Sequence, residues 1–208
     1  MFRRGMATCC LVATTLGAGV ARAEIVSAFE QFCMQTDGRI EAVQDFAGKL
    51  GWRIASPEIM DGFPEEGFDI VGFEKTSATT GELVVSMLSD EISDQGGALV
   101  RASMCTVMST DAPVDAEARL TTLMQTRGVS PEGHPTWAYS HVGSSYQGEP
   151  TIFDGEQAVI AIARERPLFV VTLKRSVDSA TGTNIAVVTA VGMFPPDPVL
   201  DRGVPVRP

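Results

Sequence analysis

Val26, Phe29, Cys33, Thr36, Ile40, Val43, Ala47 and Leu50 follow one another at alternating spacings of three and four residues. That rhythm places them on one stripe of an α-helix, with polar residues filling the opposite side. Asp37-Gly38 interrupts the run, and a glycine there costs about 1 kcal/mol relative to alanine. Because the stripe stays in phase across it, the pattern predicts one helix with a weak middle. Gly51 then suits the left-handed residue that ends a helix, with Trp52 folding back on the last turn.

The pattern changes downstream. Residues 98–108, ALVRASMCTVM, are apolar on both faces, as a central strand requires. Glu82 to Leu88 and Asp69 to Thr76 read as two further strands of an antiparallel meander, and residues 53–67 as a loop broken by Pro57, Gly62, Pro64 and Gly67. A shorter helix is expected over Pro113 to Arg127, with Asp111 near its start, Gly128 past its end and Ala116, Leu120, Leu123 and Met124 on its apolar side. Four strands follow, Thr136–Val142, Gln157–Arg164, Leu168–Ser176 and Asn184–Met193, the last three as a meander. Residues 195–208 hold five prolines and read as a flexible, extended tail.

The halves resemble each other. Leu83 to Met87 precedes Phe169 to Leu173 by 86 positions, Leu99 to Ser103 precedes Ile185 to Thr189 by the same interval, and Trp52 precedes Trp137 by 85. A duplicated unit of one helix and three strands, residues 24–108 and 113–193, accounts for this spacing. The expected fold is α+β, an antiparallel sheet with two helices packed on one face.

Charge and cysteines add the compartment. Met1-Phe2-Arg3-Arg4, an apolar run from Met6 to Val20, and Ala21-Arg22-Ala23 form the three parts of an export signal, cleaved between Ala23 and Glu24. The run is too short for a span that needs about 20 apolar residues. Cleavage takes three of the 16 basic residues and none of the 26 acidic ones, moving the formal charge from −10 to about −13. With only three lysines, Lys49, Lys75 and Lys174, such a chain repels phosphate backbones and anionic lipid. Nucleic-acid binding and membrane attachment after cleavage are excluded on this ground. Two cysteines survive cleavage, Cys33 and Cys105, in an oxidising compartment where they are expected to pair. A bridge across 72 positions is worth about 4 kcal/mol on the chain-entropy account. The mature residues 24–194 are expected to form one domain, periplasmic or secreted.

The chemistry gathers in HPTWAYSH, residues 134–141, which holds both histidines. On a strand, His134 and His141 point to opposite faces and cannot form a dyad. Trp137, Tyr139 and His141 share one face, with Tyr146 close by, and this set is the candidate ligand-binding platform; the alternative is an aromatic core. A hydrolase would use His141 with Ser140, Ser144 or Ser145, although no G-x-S-x-G elbow is present. The acidic groups Glu65-Glu66-Asp69, Asp90-Glu91-Asp94 and Asp154-Glu156 lie in loops without metal-ligand spacing, and no phosphate or dinucleotide loop occurs. The sequence therefore offers no catalytic set, no metal site and no cofactor.

The export signal followed by F-E-Q-F-C on a helix that closes at L-G-W resembles uncharacterised exported proteins of proteobacteria. The resemblance implies a compartment and no activity. The leading expectation is a non-catalytic periplasmic protein that binds a partner protein or a small envelope ligand. The alternatives are a small hydrolase centred on His141 and an accessory protein of envelope maintenance acting through its acidic surface and tail.

Overall fold

A glycine at φ 71°, Gly51, closes the first long helix as its sequence position requires, and Trp52 N–H donates back to Ala47 C=O at 3.0 Å. The computed structural model in which this is seen describes residues 25–61, 63, 66–76, 81–95, 98–110, 113–130, 133–143, 145–196 and 206–207. The expected export signal of residues 1–23, Ser144, and residues 197–205 and Pro208 of the expected tail lie outside the described residues.

The chain upstream of Gly51 is two helices, not the single one its periodicity predicts. Helix α1 (Ile25–Phe29) runs into one π-helical turn (Glu30–Met34), and α2 (Ile40–Leu50) starts afresh after a sharp turn. Asp37 and Gly38 both adopt positive φ, 54° and 65°, which no continuous right-handed helix accommodates. The reason is tertiary. A Cβ on residue 38 would stand 3.3 Å from Cys105 Cβ, so the turn lies directly on the sheet. The Ser86 hydroxyl donates to Gly38 C=O, and the Cys33–Cys105 disulfide fastens the preceding turn at a Cα separation of 5.5 Å.

Strand β1 (Arg53–Ile54) and the one-turn helix α3 (Pro57–Met60) follow, then the long strands β2 (Phe68–Thr76), β3 (Gly81–Gln95) and β4 (Ala98–Ser109). Helix α4 (Ala116–Met124) ends on Gln125 in a left-handed conformation, short of Gly128. Strands β5 (Thr136–Val142) and β6 (Ser145–Gly148) form a hairpin. A 3-10 turn (Pro150–Asp154) leads to helix α5 (Glu156–Ala163), and β7 (Leu168–Val177) and β8 (Asn184–Phe194) form the last hairpin. The pair β9 (Val206–Arg207) lies parallel to Ile92–Ser93 of β3.

The result is an α+β fold with five helices and a nine-stranded sheet among the described residues, ordered β1-β2-β3-β4-β8-β7-β5-β6 and antiparallel except at β9. Helices α1, α2 and α4 share one face. Phe29, Phe32, Val43, Leu120 and Met124 meet Val84, Cys105, Val107, Phe169 and Val188 there in the main core. The segment 157–164, expected as a strand, is instead α5 and covers part of the second face. Ile160 and Ala163 pack on Val100, while Val159 and Ile162 pack beside Ala138 and Leu168. The meander expected from the last three strand candidates is therefore a single hairpin.

The two-fold arrangement of strands is present: β2-β3-β4 and β5-β7-β8 are laid out alike about the β4–β8 pair. The spacing of 86 does not survive as a structural register. Val84 of β3 and Phe169 and Val171 of β7 all face the helices, so matching them needs an odd offset, whereas an even one exchanges the faces.

Candidate functional site

The alternation of β5 distributes its chemistry to two faces. Trp137 and Tyr139 point into the helix-covered core and are 0% exposed; Ala138 and Ser140 point to the second face and are equally enclosed. The indole N–H of Trp137 donates to Thr121 Oγ1 of α4 at 3.1 Å. Tyr139 stacks on Phe169 at 5.0 Å between ring centroids and meets Tyr146 edge-on at 5.7 Å. The candidate platform of Trp137, Tyr139, His141 and Tyr146 is thus packed as the alternative reading, an aromatic core, describes it: α1, α4 and β7 supply the partners that a flat ligand would have to displace. The four side chains are brought together, but as core and core margin.

At the margin stands a contact that the sequence did not reveal. His141 Nδ1 lies 3.0 Å from Asp37 Oδ1, with both side chains mostly covered. The two side chains touch off the line of a hydrogen bond. Asp37 Oδ1, His141 Nε2 and Tyr139 OH are buried without a hydrogen-bond partner among the described residues. Asp37 reaches His141 because its positive φ turns the chain at the helix break toward the end of β5. Burial pushes the Tyr139 phenol well above its usual range, with Asp37 and then Tyr146 adding to it. Tyr146 is raised by burial first, then by Glu30 and Asp37.

An acid beside His Nδ1 is the orientation found in hydrolytic triads. Here Nε2, the atom that would serve a nucleophile, is enclosed. Ser140 projects from the other face, where its hydroxyl donates to Glu149 Oε1 at 2.5 Å and accepts from Arg166 Nε at 2.9 Å. Arg166 Nη2 also donates to Glu149 at 2.9 Å. This bracket of buried Ser140 and Glu149 with half-buried Arg166 joins β5, the exit of β6 and the turn into β7. Ser145 is exposed on β6. His134 lies ahead of β5, which starts at Thr136, so the two histidines do not share the strand on which their facing was expected to differ. Among the described residues no group of three or more His, Cys, Asp or Glu side chains is arranged to hold a metal ion, and no helix is long and apolar enough to cross a membrane.

The open surface is at the other end of the sheet. Strand β5 pairs with β7 only as far as Thr172, and β4 pairs with β8 only as far as Ala186, so the tip of the β7–β8 hairpin outruns both neighbours. One cleft of about 310 Å³ is lined by Val114, Arg175, Ser176, Val177, Asn184 and Ile185. Another, of about 270 Å³, lies against Ile59, Glu74, Leu83, Met108 and again Ile185. Val114 is 93% and Val177 61% exposed. No local pattern pointed to this end, because its residues are ordinary aliphatics whose exposure follows only from the unequal lengths of the strands.

Comparison with family models, with curated proteins and with solved structures finds no match for the chain.

Proposed function

We propose that this chain is an exported, non-catalytic binding domain of the bacterial envelope, and that it takes a small ligand with an apolar body at the hairpin end of the sheet. The observation that carries this reading is the pair of clefts sharing Ile185, where large aliphatic side chains face solvent. Their volumes stand near the lower end of the usual range for small-molecule sites, about 300–1,000 Å³. Export is supported by the leader-like first 23 residues and by a disulfide, which persists in oxidising compartments. The test is fluorescence titration with the uncharged probe phenylnaphthylamine. Saturable binding is expected in the native chain and is lost in Ile185→Glu without loss of the folded circular-dichroism spectrum. Absence of saturable binding in the native chain, or binding indifferent to Ile185→Glu, rules the reading out.

A second reading rests on the Asp37–His141 contact: a hydrolase with His141 as base and Asp37 orienting it. It needs Nε2 to become accessible and a serine other than Ser140. Turnover of an activated ester that disappears in both His141→Ala and Asp37→Asn supports it; equal background rates in all three chains dispose of it.

A further inference from the structure

We infer that the cleft beside the β7–β8 hairpin takes an amphipathic carboxylate, its head group on Arg175 and its apolar body against Val114, Val177 and Ile185. This deepens the proposed binding role and rests on it. Arg175 is already aimed. Its Nη2 donates to the carbonyls of Pro113 and Val114 at 3.1 and 3.3 Å, which fixes the guanidinium plane while leaving donors on its other nitrogens unused. A guanidinium held this way loses little further freedom on gripping a planar carboxylate.

Among the described residues its charge is unmatched. In a chain with 26 acidic and 16 basic residues, Arg175 has no carboxylate partner among the described residues, whereas Arg53 meets Glu74 and Arg166 meets Glu149 and Glu165. Asp178, three residues on, is committed to its own turn: it accepts from Ala180 N–H at 2.9 Å and from the Thr181 hydroxyl at 2.6 Å. Ser176 and Asn184 add neutral polar groups to the lining, and three aliphatic side chains complete it. Among the described lining residues one cation faces neutral walls, which, on a molecule of net charge −10, matches a monoanion better than a doubly charged phosphate. A cleft of about 310 Å³ limits the apolar part to small-molecule size, such as a medium-length chain.

The test titrates the full chain with octanoate and with octanol, which share a tail and differ in charge. Octanoate is expected to bind at least about tenfold more tightly, as a charge-assisted pair implies. Arg175→Gln abolishes that preference and leaves octanol binding unchanged. Asn184→Asp, which keeps Arg175 and adds a like charge beside the head group, weakens octanoate alone. Equal binding of the two probes by the native chain, or a preference that survives Arg175→Gln, overturns the carboxylate assignment while the cleft remains a binding site. Failure of both probes to bind removes the binding reading together with it.

Discussion

The two ends of this sheet hold opposite kinds of residue and put them to opposite uses. At the β5 end stand Trp137, both tyrosines, His141 and Ser140; Trp137, Tyr139 and Ser140 are fully enclosed, and His141 and Tyr146 are half-buried. At the β7–β8 end stand Val114, Val177, Ile185 and one arginine, and there the surface is open. The difference follows from coverage. The β5 end has helices α1 and α4 on one face, α5 on the other and a disulfide nearby, while the hairpin tip extends past its neighbouring strands. Reactive residue types mark a site only where the packing leaves them something to react with.

The closed end should be the costly one to disturb. Replacing Cys33 and Cys105 together by alanine is expected to lower the unfolding free energy in urea by about 4 kcal/mol, since the bridge closes a 72-residue separation. Arg166→Ala leaves Glu149, 6% exposed, without its cation, and should cost about 3 kcal/mol. Changing Glu149 to leucine, Arg166 to methionine and Ser140 to alanine together should recover most of that loss, because neither a buried charge nor a buried hydroxyl is then stranded. Denaturation curves of the three variants decide the matter.

Alkaline pH probes the same end. Folding raises the Tyr139 pKa, so above about pH 10 the unfolded chain has lost a phenolic proton that the folded chain keeps. This contribution to stability is complete below about pH 10 and falls as pH climbs toward the folded-state value. Of the two tyrosines, only Tyr146 should ionise before unfolding, as read by tyrosinate absorbance. By contrast, Val177→Ser at the open end should shift stability by no more than about 0.5 kcal/mol, its side chain being largely in water already.

Local pattern made much of this architecture legible. Residues 98–108 were legible as a central strand because they are β-forming and apolar on both faces, and Asp69–Thr76 and Leu168–Ser176 as further strands between turn residues. The helical stripe of α2 was equally plain, and Cys33 with Cys105 announced their bridge through compartment and number. Two elements escaped. EQAVIAIA reads as a strand because valine and isoleucine favour one, yet Ile160 and Ala163 form one helical contact and Val159 and Ile162 another. Gly155 ahead of Glu156 was the available sign of a helix start. The break at Asp37-Gly38 was visible as a weak propensity, but its reason, close approach to Cys105, belongs to tertiary packing. Asp37 meets His141 for the same reason, and no local spacing connects them. Of the candidate site, the sharing of one face by Trp137, Tyr139 and His141 was readable; whether that face lay open was not, since coverage depends on where distant helices come to rest.

Amide chemical-shift mapping during titration with phenylnaphthylamine compares the two ends in one experiment. Saturable shifts confined to residues 113–115, 174–178 and 183–186 are the expected result. Shifts centred instead on Trp137, Tyr139, His141 and Tyr146 would contradict the account, because they would mean that the enclosed end opens to ligand and the exposed end does not receive it.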